Sequence, residues 1–103
     1  MIRIVLCNCS PGEASTLARR LVEENLAACV NLIKGVKSFY RWEGELCEDE
    51  EVTLLIKTTE ECFSEMSEKL TRYHSYEVPE ILALDSADVS KAYGEWVYDQ
   101  LRQ

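Results

Sequence analysis

The chain has 103 residues, 47% hydrophobic and 29% charged, a balance that excludes a disordered or fibrous protein and sets the expectation of one soluble domain over residues 1–103. Asp plus Glu number 19 against 11 Lys plus Arg, and the resulting formal charge of -8 repels phosphate backbones, so nucleic acid and anionic membranes are poor partners. No apolar run approaches the roughly 18 residues of a membrane span, and Met1 leads straight into "IRIVLC" without an export signal, which sets a cytoplasmic expectation.

Ile2 to Asn8, "IRIVLCN", is short and rich in Ile and Val, the pattern of a strand covered on both faces. In "SPGE", Ser10 is placed as an N-cap, Pro11 at the first helical position and Glu13 to bond back to the cap's amide, so a helix is predicted to start there. Ala14, Leu17, Ala18, Leu21, Val22 and Leu26 then recur at spacings of three and four, one apolar stripe suited to lie on a sheet. From Val30 the period becomes two. Val30, Leu32, Val36, Ser38, Tyr40 and Trp42 share one parity of a long second strand, with Gly35 as a bulge or bend and "WEGEL" as the turn that follows.

"CEDEE" is read as a solvated acidic arm that protects an edge from wrong pairing, followed by "VTLLIKT" as a third, central-type strand. Thr58 with Glu61 predicts a second capping box, and Phe63, Met66, Leu70 and Tyr73 the stripe of a helix ending near Tyr73 or His74. Pro79 disfavours helix at Val78 and suits the first residue of a fourth strand, "PEILALD". Val89, Ala92, Tyr93, Trp96, Val97 and Leu101 predict a third helix from near Asp88. Five cysteines, an odd number without a CxxC pair, argue against a disulfide framework or a structural zinc site, and most read as small buried apolar side chains.

The order βαββαβα, two strand-helix-strand units joined by a long hairpin, predicts an α+β ferredoxin-like sandwich: a four-stranded antiparallel sheet with two helices on one face. One short C-terminal helix cannot cover the other face. Other copies of the chain are therefore expected to do so, with Phe39, Tyr40 and Trp42 burying against a neighbour.

"ENLAACVNLI", "SFYRWEGEL", "EEVTLLIKTT" and "HSYEVPEI", in that order, with Tyr93 and Trp96 three residues apart, make the chain from Ile4 to Leu101 resemble the CutA family of divalent-cation tolerance proteins. The resemblance implies a PII-like homotrimer with interlocking hairpins. It also implies an association with tolerance to copper and other divalent ions in the cytoplasm, and neither enzymatic activity nor an organic cofactor.

By the same resemblance, copper ligands fall on Cys7, or on Cys9 beside it, and on His74, while Tyr73 stands where some bacterial members have another histidine. Thiolate and imidazole suit copper or zinc, and Cys7 and Cys9 share one side of an extended strand. The plainer reading makes both cysteines core residues and His74 a helix C-cap. An inter-subunit cleft of Tyr40, Trp42, Lys57, Tyr76 and Glu80 is the second candidate, with Lys57 to attract a small anion or a nucleotide-like ligand. Its plainer reading is a Lys57–Glu80 ion pair that sets strand register. An RNA-recognition domain, an acylphosphatase and a Ser-His-Asp hydrolase are set aside: the basic, arginine-loop and G-x-S-x-G features they need are missing.

Overall fold

The computed structural model describes residues 1–101. Val5, Cys7 and Cys9, alternate residues of β1 (Ile2–Cys9), are fully buried and pair across to Ile56, Leu54 and Val52 of β3 (Glu45–Thr59). Residues paired this way share a sheet face. Two helices cover that face: α1 (Ala14–Glu23) contributes Ala14, Leu17 and Leu21, and α2 (Glu60–Tyr73) contributes Met66 and Leu70. Each fully buried Leu or Met adds about 1.5–3 kcal/mol, so this layer is the source of most of the fold's stability.

With β2 (Cys29–Trp42) and β4 (Leu82–Asp85), the sheet has the order β2-β3-β1-β4, antiparallel throughout. α3 (Lys91–Leu101) completes the expected βαββαβα series. The architecture is the α+β, split-βαβ sandwich that the periodicities predict.

Local starts differ from expectation in instructive ways. Ser10 does not cap α1. Pro11, Gly12 and Glu13 form a turn, and the helix begins at Ala14, while Glu13 still accepts from the Ser10 amide at 3.4 Å and from its hydroxyl at 2.7 Å. The cap of α2 is Thr59, whose hydroxyl accepts from the Cys62 amide at 3.3 Å, rather than Thr58, which is buried and donates to the Leu26 carbonyl at 2.7 Å. Two adjacent threonines made the cap ambiguous by one position. β4 begins at Leu82, three residues after Pro79, where the ladder with β1 starts; before it Tyr76 and Glu80 bond the side chains of Glu51 and Asn8.

The hairpin carries the largest correction. "CEDEE" is not an arm ahead of the strand but part of β3 itself, paired residue by residue with Val36 to Tyr40 on the hairpin side of the bulge. Glu43 and Gly44, with φ of 50° and 83°, make a two-residue turn of the primed kind that matches strand twist. Between Ile33 and Val36 the register gains one residue on β2, with Gly35 at φ 73°. That bulge inverts the pattern beyond it. Val30 and Leu32 face the helices, whereas Val36, Ser38, Tyr40 and Trp42 pair with Glu51, Asp49, Cys47 and Glu45 and so lie on the opposite face. The single parity read along the strand holds in sequence but not in space.

That opposite face is only partly covered. α3 closes one end through Val97 on Ile2 and Ala28, and its Gly94 passes so close that an added Cβ would meet Val89 Cγ1 at 3.3 Å. Leu82 and Leu84, opposite Leu6 and Ile4, remain 53% and 51% exposed, and Ile33 and Trp42 on this face are exposed too, as are Phe39 and Leu46 on the other side of the hairpin.

Candidate functional site

The end of β1 and the segment after α2 meet in one hydrogen-bonded junction. His74 caps α2, its amide donating to the Leu70 carbonyl at 2.9 Å. Its ring is buried. Nε2 donates to the Asn8 carbonyl at 2.9 Å and Nδ1 accepts from the Tyr76 amide at 3.1 Å, so the bonding selects a neutral imidazole with its proton on Nε2. Asn8 also accepts from the Thr53 hydroxyl at 2.6 Å and donates to Glu80 Oε1 at 3.1 Å. Glu13 takes the Ser75 amide and hydroxyl in addition to Ser10. Partial burial would raise its pKa, but the bonds from Ser75 and Ser10 outweigh that and hold it below the ordinary carboxylate value.

These ties shape one wall of a groove of about 780 Å³ between the segment from Tyr76 to Glu80 and the base of the hairpin. Tyr40 donates to Asp49 Oδ2, and Tyr76 donates to Glu51 Oε2 at 2.7 Å, so two tyrosine–carboxylate pairs line it. The Asp49 bond pushes the Tyr40 phenol up to about 12, and burial followed by the Glu51 bond raises Tyr76 as well. Burial and the nearby Glu51 raise Glu80 above the usual carboxylate range. Glu77 adds a further carboxylate and Trp42 a ring, Phe39 and Glu50 border it from the other side of the hairpin, and among the described residues no lysine or arginine lines the groove.

Of the five expected cleft residues, Tyr40, Trp42, Tyr76 and Glu80 come together here and Lys57 does not. Lys57 pairs with Ile4 and Cys29 and donates to Asn31 Oδ1. Glu80 bonds Asn8, which lies opposite Thr53, four residues along β3 and so about 13 Å away. The two cannot pair. β1 separates β3 from β4, an order that the sequence periodicity does not contain, and the groove is acidic where the sequence suggested a cation.

Cys7 and Cys9 both point into the helix-covered core. Burial, then the neighbouring Cys9 and the Glu80, Glu13 and Glu51 carboxylates, push the Cys7 thiol up to about 12; burial, Glu13 and Glu51 push Cys9 to about 11. A metal ligand must be a thiolate and a free imidazole nitrogen. Copper here would have to displace the proton of a buried thiol and break one of the two hydrogen bonds of the His74 ring. Among the described residues no three His, Cys, Asp or Glu side chains converge to hold an ion.

Asn8 and Glu13 went unrecognised as site residues in the sequence, and Asp49 and Glu51 were read only within the acidic run "CEDEE". The alternation inside "CEDEE", which puts Asp49 and Glu51 on one side of a strand, was the available signal.

Residues 3–100 match the family described as CutA1 divalent ion tolerance protein. The chain belongs to this family. A divalent-cation tolerance protein CutA of Thermus thermophilus is 49% identical over 84 residues, 82% of either chain. The CutA of Escherichia coli is 40% identical over 96% of this chain and 89% of its own length. The chloroplastic CutA of Arabidopsis thaliana is 41% identical over 84% of this chain, which spans about half of that longer protein (47%). Among solved structures, the Thermus thermophilus Cut A1 superposes with a TM-score of 0.90 at 46% identity, covering 94% of this chain and 95% of that one. The periplasmic divalent cation tolerance protein CutA of Archaeoglobus fulgidus gives 0.94 at 33% identity over 99% and 100% of the two chains.

Proposed function

We propose that this family member is a threefold self-associated, cytoplasmic divalent-cation tolerance protein, one ferredoxin-like domain long, whose cation-facing site is the acidic groove. The observation that carries this reading is the groove's lining: carboxylates from Asp49 to Glu80 and, among the described residues, no lysine or arginine. Since no three donors converge among the described residues, divalent ions would be held there by charge, weakly and exchangeably, rather than by chelation. Self-association is supported by the exposed Leu82, Leu84 and Ile33 on the open sheet face and by Phe39, Trp42 and Leu46 on the hairpin. A reducing compartment is supported by five free cysteines, two of them neighbours on one strand. Among the described residues no helix is long and apolar enough to cross a membrane. No catalytic role and no organic cofactor belong to the proposal.

Calorimetric titration with Cu(II), Cu(I) and Mg(II) tests it. Weak Mg(II) and Cu(II) binding reduced by Glu51→Gln and unchanged in Cys7→Ser and His74→Ala is expected. Tight, saturable copper uptake of one ion per chain, lost in Cys7→Ser or His74→Ala, would overturn it and return the site to Cys7 and His74, whose best support is that Nε2 of His74 already reaches the residue next to Cys7.

The second reading is a PII-like sensor or scaffold that takes a small ligand or a partner protein where copies meet. The aromatic walls at Tyr40, Trp42 and Tyr76 favour it, because a bare metal ion has no use for them.

A further inference from the structure

Among the described residues, Lys57 has no anionic partner within its own chain. It is half-buried on the open sheet face, in a row with Leu84, Ile4 and Cys29 that crosses every strand of the sheet. Its ammonium donates to Asn31 Oδ1 and, at 3.8 Å, to the Cys29 sulfur, while the ion pairs of the described residues all use other cations.

Leu84 lies two strands from Lys57, about 10 Å away. A stable interface takes about 800 Å² from each partner, a patch roughly 30 Å wide, so a copy that covers Leu82 and Leu84 covers Lys57 as well. Taking an ammonium out of water without a counter-charge is costly, so the covering surface has to bring a carboxylate. The same face of another copy supplies one. Asp49 and Glu51 are taken by the hydroxyls of Tyr40 and Tyr76, whereas the exposed Glu80 accepts, among the described residues, from the Asn8 amide alone. The groove lacks a cation and Lys57 lacks an anion, yet within one chain Glu80 and Lys57 stand about 13 Å apart. What cannot pair inside a chain is complementary between chains.

We propose that Lys57 of one copy enters the groove of the next and pairs with Glu80. The contact joins two different patches, so it is heterologous and can close into a ring, as a threefold particle requires. This rests on the self-association proposed above and adds which charged groups it joins. The groove's first cation then comes from a neighbouring copy, and a divalent ion enters by competing with it.

The test is carbodiimide crosslinking, which joins an amine to a carboxylate already in contact, on the full chain assembled from unlabelled and isotope-labelled copies, with native mass measured on the same samples. The expected result is a three-copy particle whose Lys57–Glu80 crosslink joins light peptides to heavy ones. Lys57→Met and Glu80→Gln should each raise the dissociation constant of the particle about tenfold or more. The double variant should raise it no further than either alone, because the second change removes the group that the first left unpaired. Lys57→Met keeps the apolar length of the side chain, and Glu80→Gln, on the segment before β4, serves if it does not fold. A three-copy particle in which Lys57 links only to other carboxylates, or whose dissociation neither variant moves, would overturn this inference and leave self-association standing. A chain that is single at micromolar concentration would overturn self-association and this inference with it.

Discussion

Both faces of the sheet carry apolar side chains, but these meet different fates. On one, Val5, Leu54 and Ile56 are sealed under Leu21, Met66 and Leu70. On the other, Ile4 and Leu6 are flanked by Leu84 and Leu82, and those leucines stay half exposed because α3 reaches only the Ile2 end. The helix-covered face makes the protomer stable; the open face and the hairpin leave the apolar surface on which the proposed self-association rests. Apolar content alone does not tell these roles apart. What decides is whether the chain has an element left to cover the surface.

One substitution on each face sharpens this contrast. Leu54→Ala, in the sealed layer, should lower unfolding stability by about 2–5 kcal/mol through lost burial and a residual cavity, measured by denaturant titration. A loss under 1 kcal/mol would mean that this layer is not the main store of stability. Trp42→Ala on the hairpin should leave secondary structure intact and weaken association by about 2 kcal/mol or more, seen as dissociation of a three-copy particle in native mass or sedimentation. A particle that is already a single chain at micromolar concentration would remove the functional meaning given to the open face.

Smaller effects probe the groove. Tyr76→Phe removes the donor to Glu51 and should cost about 1–3 kcal/mol in urea unfolding, because a buried carboxylate then loses its partner. Glu13→Gln should cost about 1 kcal/mol at neutral pH, since an amide replaces a carboxylate that holds Ser10 and Ser75. Folding lowers the Glu13 pKa from 4.5, so its contribution is present in full above the unfolded value and is lost as pH falls through the lower folded value. The stability gap between wild type and Glu13→Gln should accordingly shrink on acidification below about pH 4.5; a gap that widens there would contradict the hydrogen-bond assignment. At the bottom of the scale, Lys37→Ala, which breaks an exposed pair with Glu48, should change stability by no more than about 0.5 kcal/mol.

Much of the fold was legible because local physics repeats. Period two in "VTLLIKT" and period 3.6 through Phe63, Met66 and Leu70 each identify an element, and the order of elements limits the topology to very few choices. The two-residue turn after Trp42 was visible for the same reason: Gly44 tolerates a positive φ at little cost. Cap positions slipped by one residue where two threonines compete and by three where Ser10 and Glu13 bond each other without starting a helix. The family motifs also lie in the sequence, and residues 3–100 bear them out.

The groove was a different matter. Its residues come from β1, β2, β3 and the segment before β4, and nothing in a linear pattern says that β1 stands between β3 and β4, which is what keeps Lys57 from Glu80. Nor does the pattern say that one extra residue near Gly35 turns Tyr40 and Trp42 to the face opposite Leu32. Sequence by itself determined which segments become helix or strand and which side of each is apolar, because those follow from neighbours three, four or two residues away. Only the tertiary structure decided which charges meet and which thiols keep their protons, because electrostatic energy depends on distance and burial in space rather than on separation along the chain.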